Sequence, residues 1–175
     1  MSTARRRHDV SGTPATLALD AGDVAYRTHA YDHDPAAPSY GTEAAGALGV
    51  DPARVFKTLL VDTGRGGADS LAVAIVPVTG SLDLKAAAAA LGAKKVRMAD
   101  PADAQRRTGY VLGGISPLGQ RHRSPTLLDA SAAAWATVFV SGGRRGLEIE
   151  LDPADLARLT GAVTAPVAGP SRAAS

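Results

Sequence analysis

The chain has 175 residues, of which 45% are hydrophobic and 21% charged, with no cysteine and a formal net charge of +2. That length suits one ordinary domain, and the mixture is that of a folded protein and not of a disordered or fibrous one. The missing cysteine excludes disulfides, thiolate metal sites and a cysteine nucleophile. The near-balanced charge excludes the dense basic field of a strong non-specific nucleic-acid binder, so DNA is not expected as a partner.

No apolar run approaches the ~20 residues of a membrane span, and Met1-Ser2-Thr3 with Arg5, Arg6 and Arg7 lacks the apolar stretch of a signal peptide. A cytoplasmic protein with no membrane partner is expected. Residues 1–12 read as a flexible basic arm, 13–163 as the working domain, and 164–175, rich in Ala, Pro, Gly and Ser, as a disordered tail.

Thr13-Pro14 followed by Ala15, Leu17, Ala18 and Leu19 predicts a capped first helix ending near Gly22, because proline suits the first helical turn. From Val24 to His33 the alternation predicts a strand with His29, Tyr31 and His33 on one face. Thr42 to Leu48 reads as a short Ala-rich helix stopped by Gly49, and Asp51-Pro52 opens another turn that runs into an apolar strand, Lys57 to Val61. Leu71 to Val78 is nearly continuous in apolar residues, as in a central strand buried on both faces. A helix follows, with Leu84, Ala87, Ala88 and Leu91 inward, Asp83 in its first turn and Gly92 at its end. Lys94 to Met98 reads as a short strand, and Asp100-Pro101 caps a helix that stops by Thr108-Gly109.

Tyr110 to Gly119 is too punctuated by glycine and proline for a regular element and too apolar for a solvent loop. Thr137 to Val140 is a strand, Gly142 to Gly146 a turn, and Leu147 to Leu151 a cleanly alternating strand, after which Asp152-Pro153 caps a last helix reaching about Leu159. Strands interleaved with short helices predict an α+β (mixed α/β) domain.

Several chemistries fail on their own residues. Gly114 to Gly119 has the glycine spacing of a phosphate loop but is followed by Gln120 and Arg121 where Lys and Ser or Thr are needed. Ser116 lacks the second glycine of a nucleophile elbow, since Leu118 stands there and Pro117 spoils the turn. His29, Asp32, His33 and Asp34 have no distant completing ligand, so no metal site and no cofactor are expected. Lys57, one of only four lysines, lies where a helical turn meets an apolar strand, so its ammonium is held at a fixed point; a purely structural lysine is the competing account. The Gly113-Gly114 and Gly142-Gly143 pairs are either ordinary tight turns or backbone nests that approach a ligand.

An ordered series of motifs carries more. Thr13-Pro14-Ala15, Tyr31-Asp32-His33-Asp34-Pro35, Gly41-x-Glu43-Ala44-Ala45, Val55-Phe56-Lys57-Thr58-Leu59, Leu84-Lys85, Lys94-Lys95-Val96-x-Met98-Ala99-Asp100, Thr108-Gly109-Tyr110, Gly113 to Gly119 and Ser141 to Gly146 resemble the YbaK/EbsC family over residues 13–160. The likeness is strongest to the branch that acts as Cys-tRNA(Pro) deacylase, and more distant to the editing domain of bacterial prolyl-tRNA synthetases. It implies a mixed sheet forming a partly closed barrel flanked by helices, with a pocket for the aminoacylated 3′ end of tRNA. Lys57 is then the residue on which activity depends, while Tyr31, Tyr40, Thr58, Gly113, Gly114, Ser116, Ser141 and Gly142 are implied to bind substrate. The substrate cysteine thiol would attack its own ester, releasing a thiolactone, with backbone N–H groups of the Gly113-Gly114 turn and Lys57 steadying the oxyanion. Prolyl-tRNA synthetase is the protein partner so implied. A water-using deacylase for Ala-tRNA(Pro) and a non-catalytic tRNA-end-binding module are the alternatives.

Overall fold

The computed structural model describes residues 12–37 and 39–170; most of the basic arm and residues 171–175 lie outside the described residues. Helices α1 (Pro14–Ala21), α2 (Tyr40–Leu48), α3 (Leu84–Leu91), α4 (Pro101–Thr108) and α5 (Pro153–Thr160) begin on side-chain caps from Thr13, Ser39, Asp83, Asp100 and Asp152. Each cap accepts a backbone N–H that the first turn leaves without an intrahelical partner. In α3 the inward face is Ala87 and Ala88; Leu84, expected to join them, is 36% exposed at the first turn.

Among the described residues the strands follow the order β1 (Tyr26–Ala30), β2 (Phe56–Asp62), β3 (Leu71–Pro77), β4 (Gly80–Leu82), β5 (Arg97–Met98), β6 (Thr126–Asp129), β7 (Val138–Ser141), β8 (Leu147–Leu151), β9 (Val163–Ala165) and β10 (Ala168–Pro170). They form a five-stranded sheet ordered β5-β2-β3-β6-β9, a three-stranded sheet β1-β8-β7 and a two-stranded ribbon β10-β4. Strand β3 is buried along its whole length, as expected of a strand covered on both faces. Strand β1 is shorter than expected because its partner ends: β8 starts at Leu147, just after Gly146 turns the chain at φ 84°.

These strands do not close into a barrel. Strand β2 pairs with β3 on one edge and with β5 only at Val61 and Asp62 on the other; toward β7 there is a single parallel bridge, Val55 to Phe139. The two sheets therefore meet along an open seam. Their inner faces close on one core containing Leu19, Phe56, Leu60, Ile75, Val140, Ile149 and Leu156. Outside it, α3 packs with Val61, Val76 and Leu127, and α2 packs with Val55 and Phe139.

The sequence reading ended the domain at residue 163 and made the rest a disordered tail, yet β9 and β10 carry order through Pro170, and Val167 is fully buried. Asp129 at the end of β6 explains this. Its Oδ1 accepts the N–H groups of Val167 and Ala168, both at 2.9 Å, while Oδ2 accepts the Ser131 N–H and hydroxyl. Burial alone would raise its pKa, but these donors outweigh it and hold the carboxyl below the usual range. Because the folded pKa is depressed, the stability so contributed is present above the unfolded carboxylate value of ~4 and is lost as pH falls through the folded value. Asp129→Ala should cost about 3 kcal/mol and make residues 165–170 sensitive to protease; urea unfolding and limited proteolysis check this, and an unchanged midpoint would contradict it.

Candidate functional site

Lys57 stands second in β2, after Phe56, which is 2% exposed and points into the main core. Strand alternation therefore turns Lys57 to the opposite face, with Val55 and Leu59. Val55 is covered by the α2 cluster and Leu59 by the α3 cluster, so Lys57 lies between the two helices. Partial burial lowers its pKa below that of a free lysine. Beyond the Val55–Phe139 bridge, Lys57 and Ser141 are each two residues further along parallel strands, which sets them level across the seam.

Ser141 opens the turn into β8. Its Oγ accepts the Gly143 N–H at 3.2 Å, the Gly142 carbonyl accepts the Thr13 hydroxyl at 2.6 Å, and the Gly142 N–H closes on Leu147 O at 2.8 Å. The segment 110–119 packs against this turn. A methyl at Gly114 would lie 2.9 Å from Arg144 Cα, and one at Gly113, whose φ is 83°, would lie 2.7 Å from Arg145 Nε and 2.8 Å from the Tyr40 ring. The two glycine motifs thus meet each other, and each needs glycine because the facing backbone or side chain occupies the space a Cβ would fill.

At the rim, the Arg145 guanidinium sits 4.7 Å from the Tyr40 ring centroid while Nε and Nη2 donate to Leu112 O at 3.1 and 2.7 Å. Tyr40 also touches the His33 ring, and His33 Nδ1 is 2.9 Å from Glu43 Oε2. Tyr31 lies just past β1; burial, then the nearby Glu148 and Glu43 carboxylates, push its phenol up to about 12. It is neutral at ordinary pH and available as a hydrogen-bond donor.

The family model for the aminoacyl-tRNA editing domain matches residues 34–159. This chain belongs to the aminoacyl-tRNA editing domain family. A protein of Enterococcus faecalis, EbsC, described as a candidate Cys-tRNA(Pro)/Cys-tRNA(Cys) deacylase, is 40% identical over 116 residues, covering 66% of this chain and 69% of its own. Among solved structures, the hypothetical protein APE2540 superposes with a TM-score of 0.78 at 26% identity, over 90% of this chain and 100% of its own. A candidate trans-editing enzyme for prolyl tRNA synthetase superposes with a TM-score of 0.74 at 25% identity, over 89% of this chain and 95% of its own.

The editing domain gathers most of the residues named from sequence. Lys57 and Ser141 face each other across the seam, Gly113 and Gly114 pack on Arg144 and Arg145, and Tyr40 closes the same rim. Thr58 lies on the opposite face of β2 from Lys57, with its hydroxyl buried and without a partner among the described residues. Ser116 is fully buried; its Oγ accepts the Leu118 N–H and its carbonyl the Gln120 amide, so it shapes the segment from inside. The expected pair of oxyanion donors is also reduced, because the Gly114 N–H already donates to Val111 O at 3.0 Å; the Gly113 N–H has no acceptor among the described residues.

Two residues of this region escaped the sequence reading. Arg145 falls within a turn and Glu148 within a cleanly alternating strand, patterns that single out neither, yet Glu148 is 8% exposed. Only their neighbours, distant in sequence, distinguish them. Gly114→Ala should push the Arg144 backbone away and cost about 1–3 kcal/mol, measured by urea unfolding; a fully stable variant would show that the two turns do not depend on this contact.

Proposed function

We propose that this editing domain is a trans-acting deacylase that removes cysteine from mischarged Cys-tRNA(Pro), with Cys-tRNA(Cys) open to the same chemistry, by using the substrate's own thiol. The observation that carries the reading is Lys57: a desolvated ammonium fixed beside the open seam, level with Ser141, in a chain that contains no cysteine. The name of the EbsC relative supports the substrate, and the structural likeness to a trans-editing enzyme for prolyl tRNA synthetase supports that synthetase as the upstream partner.

The need for such an activity follows from binding energetics. A difference of a methylene or so is worth only about 1–3 kcal/mol, so a synthetase separates small amino acids poorly and a second site must destroy the wrong ester. In the proposed step the cysteine sulfur attacks the ester carbonyl, a sulfur–carbon bond forms, the ester carbon–oxygen bond breaks, and the thiol proton goes to the departing ribose oxygen. Thiolactone and free tRNA result. The domain then has to bend the ester toward ring closure and stabilise the oxyanion, with Lys57 supplying the positive charge and the Gly113 N–H a backbone donor. Tyr31, Tyr40, Ser141 and Gly142 shape the surrounding surface for the terminal aminoacyl adenosine, whereas Thr58, on the opposite face of β2, lies beneath it.

Lys57→Ala should fold normally and lose about 10²–10³ in deacylation rate; near-normal turnover of Cys-tRNA(Pro) by the folded variant would remove Lys57 from the chemistry. Selectivity should arise in the chemical step, because a hydroxyl is a far poorer nucleophile than a thiol and a methyl none at all. Parallel assays with Cys-, Ser- and Ala-charged tRNA(Pro) should give fast cleavage and a trappable thiolactone only for cysteine. Equal rates for cysteine and alanine, with solvent oxygen in the released amino acid, would replace the thiol step with water attack.

A further inference from the structure

Glu148 lies in β8 directly opposite His29 of β1 on one side and Ser141 of β7 on the other. Across the seam the row continues to Lys57, level with Ser141. One row of residues thus crosses four strands in the order Lys57, Ser141, Glu148, His29; the paired neighbours Ser141, Glu148 and His29 are roughly 5 Å apart at the backbone, and Lys57 stands across the open seam from Ser141. Lys57 and Glu148 bracket Ser141, and no ion pair joins them among the described residues.

The two glutamates of β8 differ sharply. Glu150 is near His29 Nε2 at 2.9 Å, accepts the Thr137 hydroxyl at 2.6 Å and lies 3.7 Å from Arg54. Glu148, two residues earlier on the same face, is 8% exposed, and its Oε2 is buried with no hydrogen-bond partner among the described residues. An unpaired buried carboxyl is among the costlier groups a small fold can keep. It sits in the row that contains Lys57 and Ser141 and near Tyr31, so a ligand received there meets it.

The chemistry of the substrate class names the missing partner. At the aminoacylated end of a tRNA the phosphates are anionic and the ribose hydroxyls neutral, while a small amino acid contributes one cationic group, the amine on the carbon beside the ester carbonyl. We propose that Glu148 is the receptor for this α-amino group, holding it by a charge-assisted hydrogen bond while Lys57 addresses the carbonyl side of the same ester. The inference rests on the reading that the seam receives an aminoacyl ester. Burial pushes the Glu148 carboxyl up to about 8; beside the ammonium it gives up its proton to solvent and pairs as the carboxylate. Peptidyl-tRNA, whose α-nitrogen is an uncharged amide, gains nothing at this position and is spared.

The test uses two stable amides of 3′-amino-3′-deoxyadenosine, one carrying cysteine and one carrying 3-mercaptopropionate, which differ only in the α-amine. Isothermal titration of the full chain should give about 10–100-fold tighter binding of the cysteinyl amide. In Glu148→Gln that preference should fall to about twofold or less, with the thermal midpoint largely unchanged near neutral pH because a neutral amide replaces a largely protonated acid of the same shape. Glu148→Asp keeps the acid and should retain part of the preference, a second reading if the glutamine variant does not fold. Equal binding of the two amides by the unsubstituted protein, binding of neither, or a full preference surviving in Glu148→Gln overturns the assignment. Deacylation of Cys-tRNA(Pro) is measured alongside; its absence sinks the deacylase reading while the amide comparison still decides the role of Glu148.

Discussion

The structure turns on a seam that is bridged once and then left open. Strand β2 lies beside β7 but joins it only at Val55 and Phe139, since its other edge is taken by β3. Past that bridge the backbone edges of the two sheets are not closed by a ladder, and open edges in a protein are normally paired, covered or put to use. Here the gap between the helices on the outer face coincides with it, because α2 covers Val55 and α3 covers Leu59. Lys57 occupies the position between. A closed barrel would have filled the space with a continuous ladder.

Rigid backbone turns hold the rim of that opening. The two glycine segments, about thirty residues apart in the chain, are pressed together at Gly114 and Arg144, and Thr13 pins the second of them to the start of α1. Neither segment is a regular element, and hydrogen bonds stand in for a ladder in both: the Tyr110 hydroxyl donates to Leu118 O in the first, and the Thr13 hydroxyl donates to Gly142 O in the second. Stiffness matters for a site whose task is to orient an ester, because a loosely held donor loses most of its effect on a developing charge.

Electrostatics separate the functional face from the structural one. Asp129 is buried and fully supplied with donors, and it fastens β9 and β10 to the sheet; Glu150 is equally well supplied. Lys57 is partly buried and Glu148 almost wholly so, neither in an ion pair among the described residues, with their pKa values displaced by burial toward the neutral form in each case. Such groups are unfavourable for folding taken singly, and desolvated ionisable groups set in one row are the kind of feature that functional sites keep.

Local patterns read from the sequence reached the helices and most strands, because their signals are short-range. Thr13-Pro14, Asp100-Pro101 and Asp152-Pro153 cap helices by bonds spanning two or three residues, and the apolar run in β3 reports burial on both faces. Lys57 and the glycine turns were legible through the ordered motifs, with the family match covering most of them. Strand β6 was missed because four residues between longer neighbours carry too little periodicity, and the last strands because their small residues depend on bonds to Asp129, which is 38 residues away for Val167. The same limit applies to the open seam, the burial of Glu148 and the occupied Gly114 N–H. The sequence alone determined which residues cap, turn and alternate, since those preferences are decided within a few bonds. Only the tertiary structure decided which polar groups are left unpaired and side by side, since that depends on what distant segments cover.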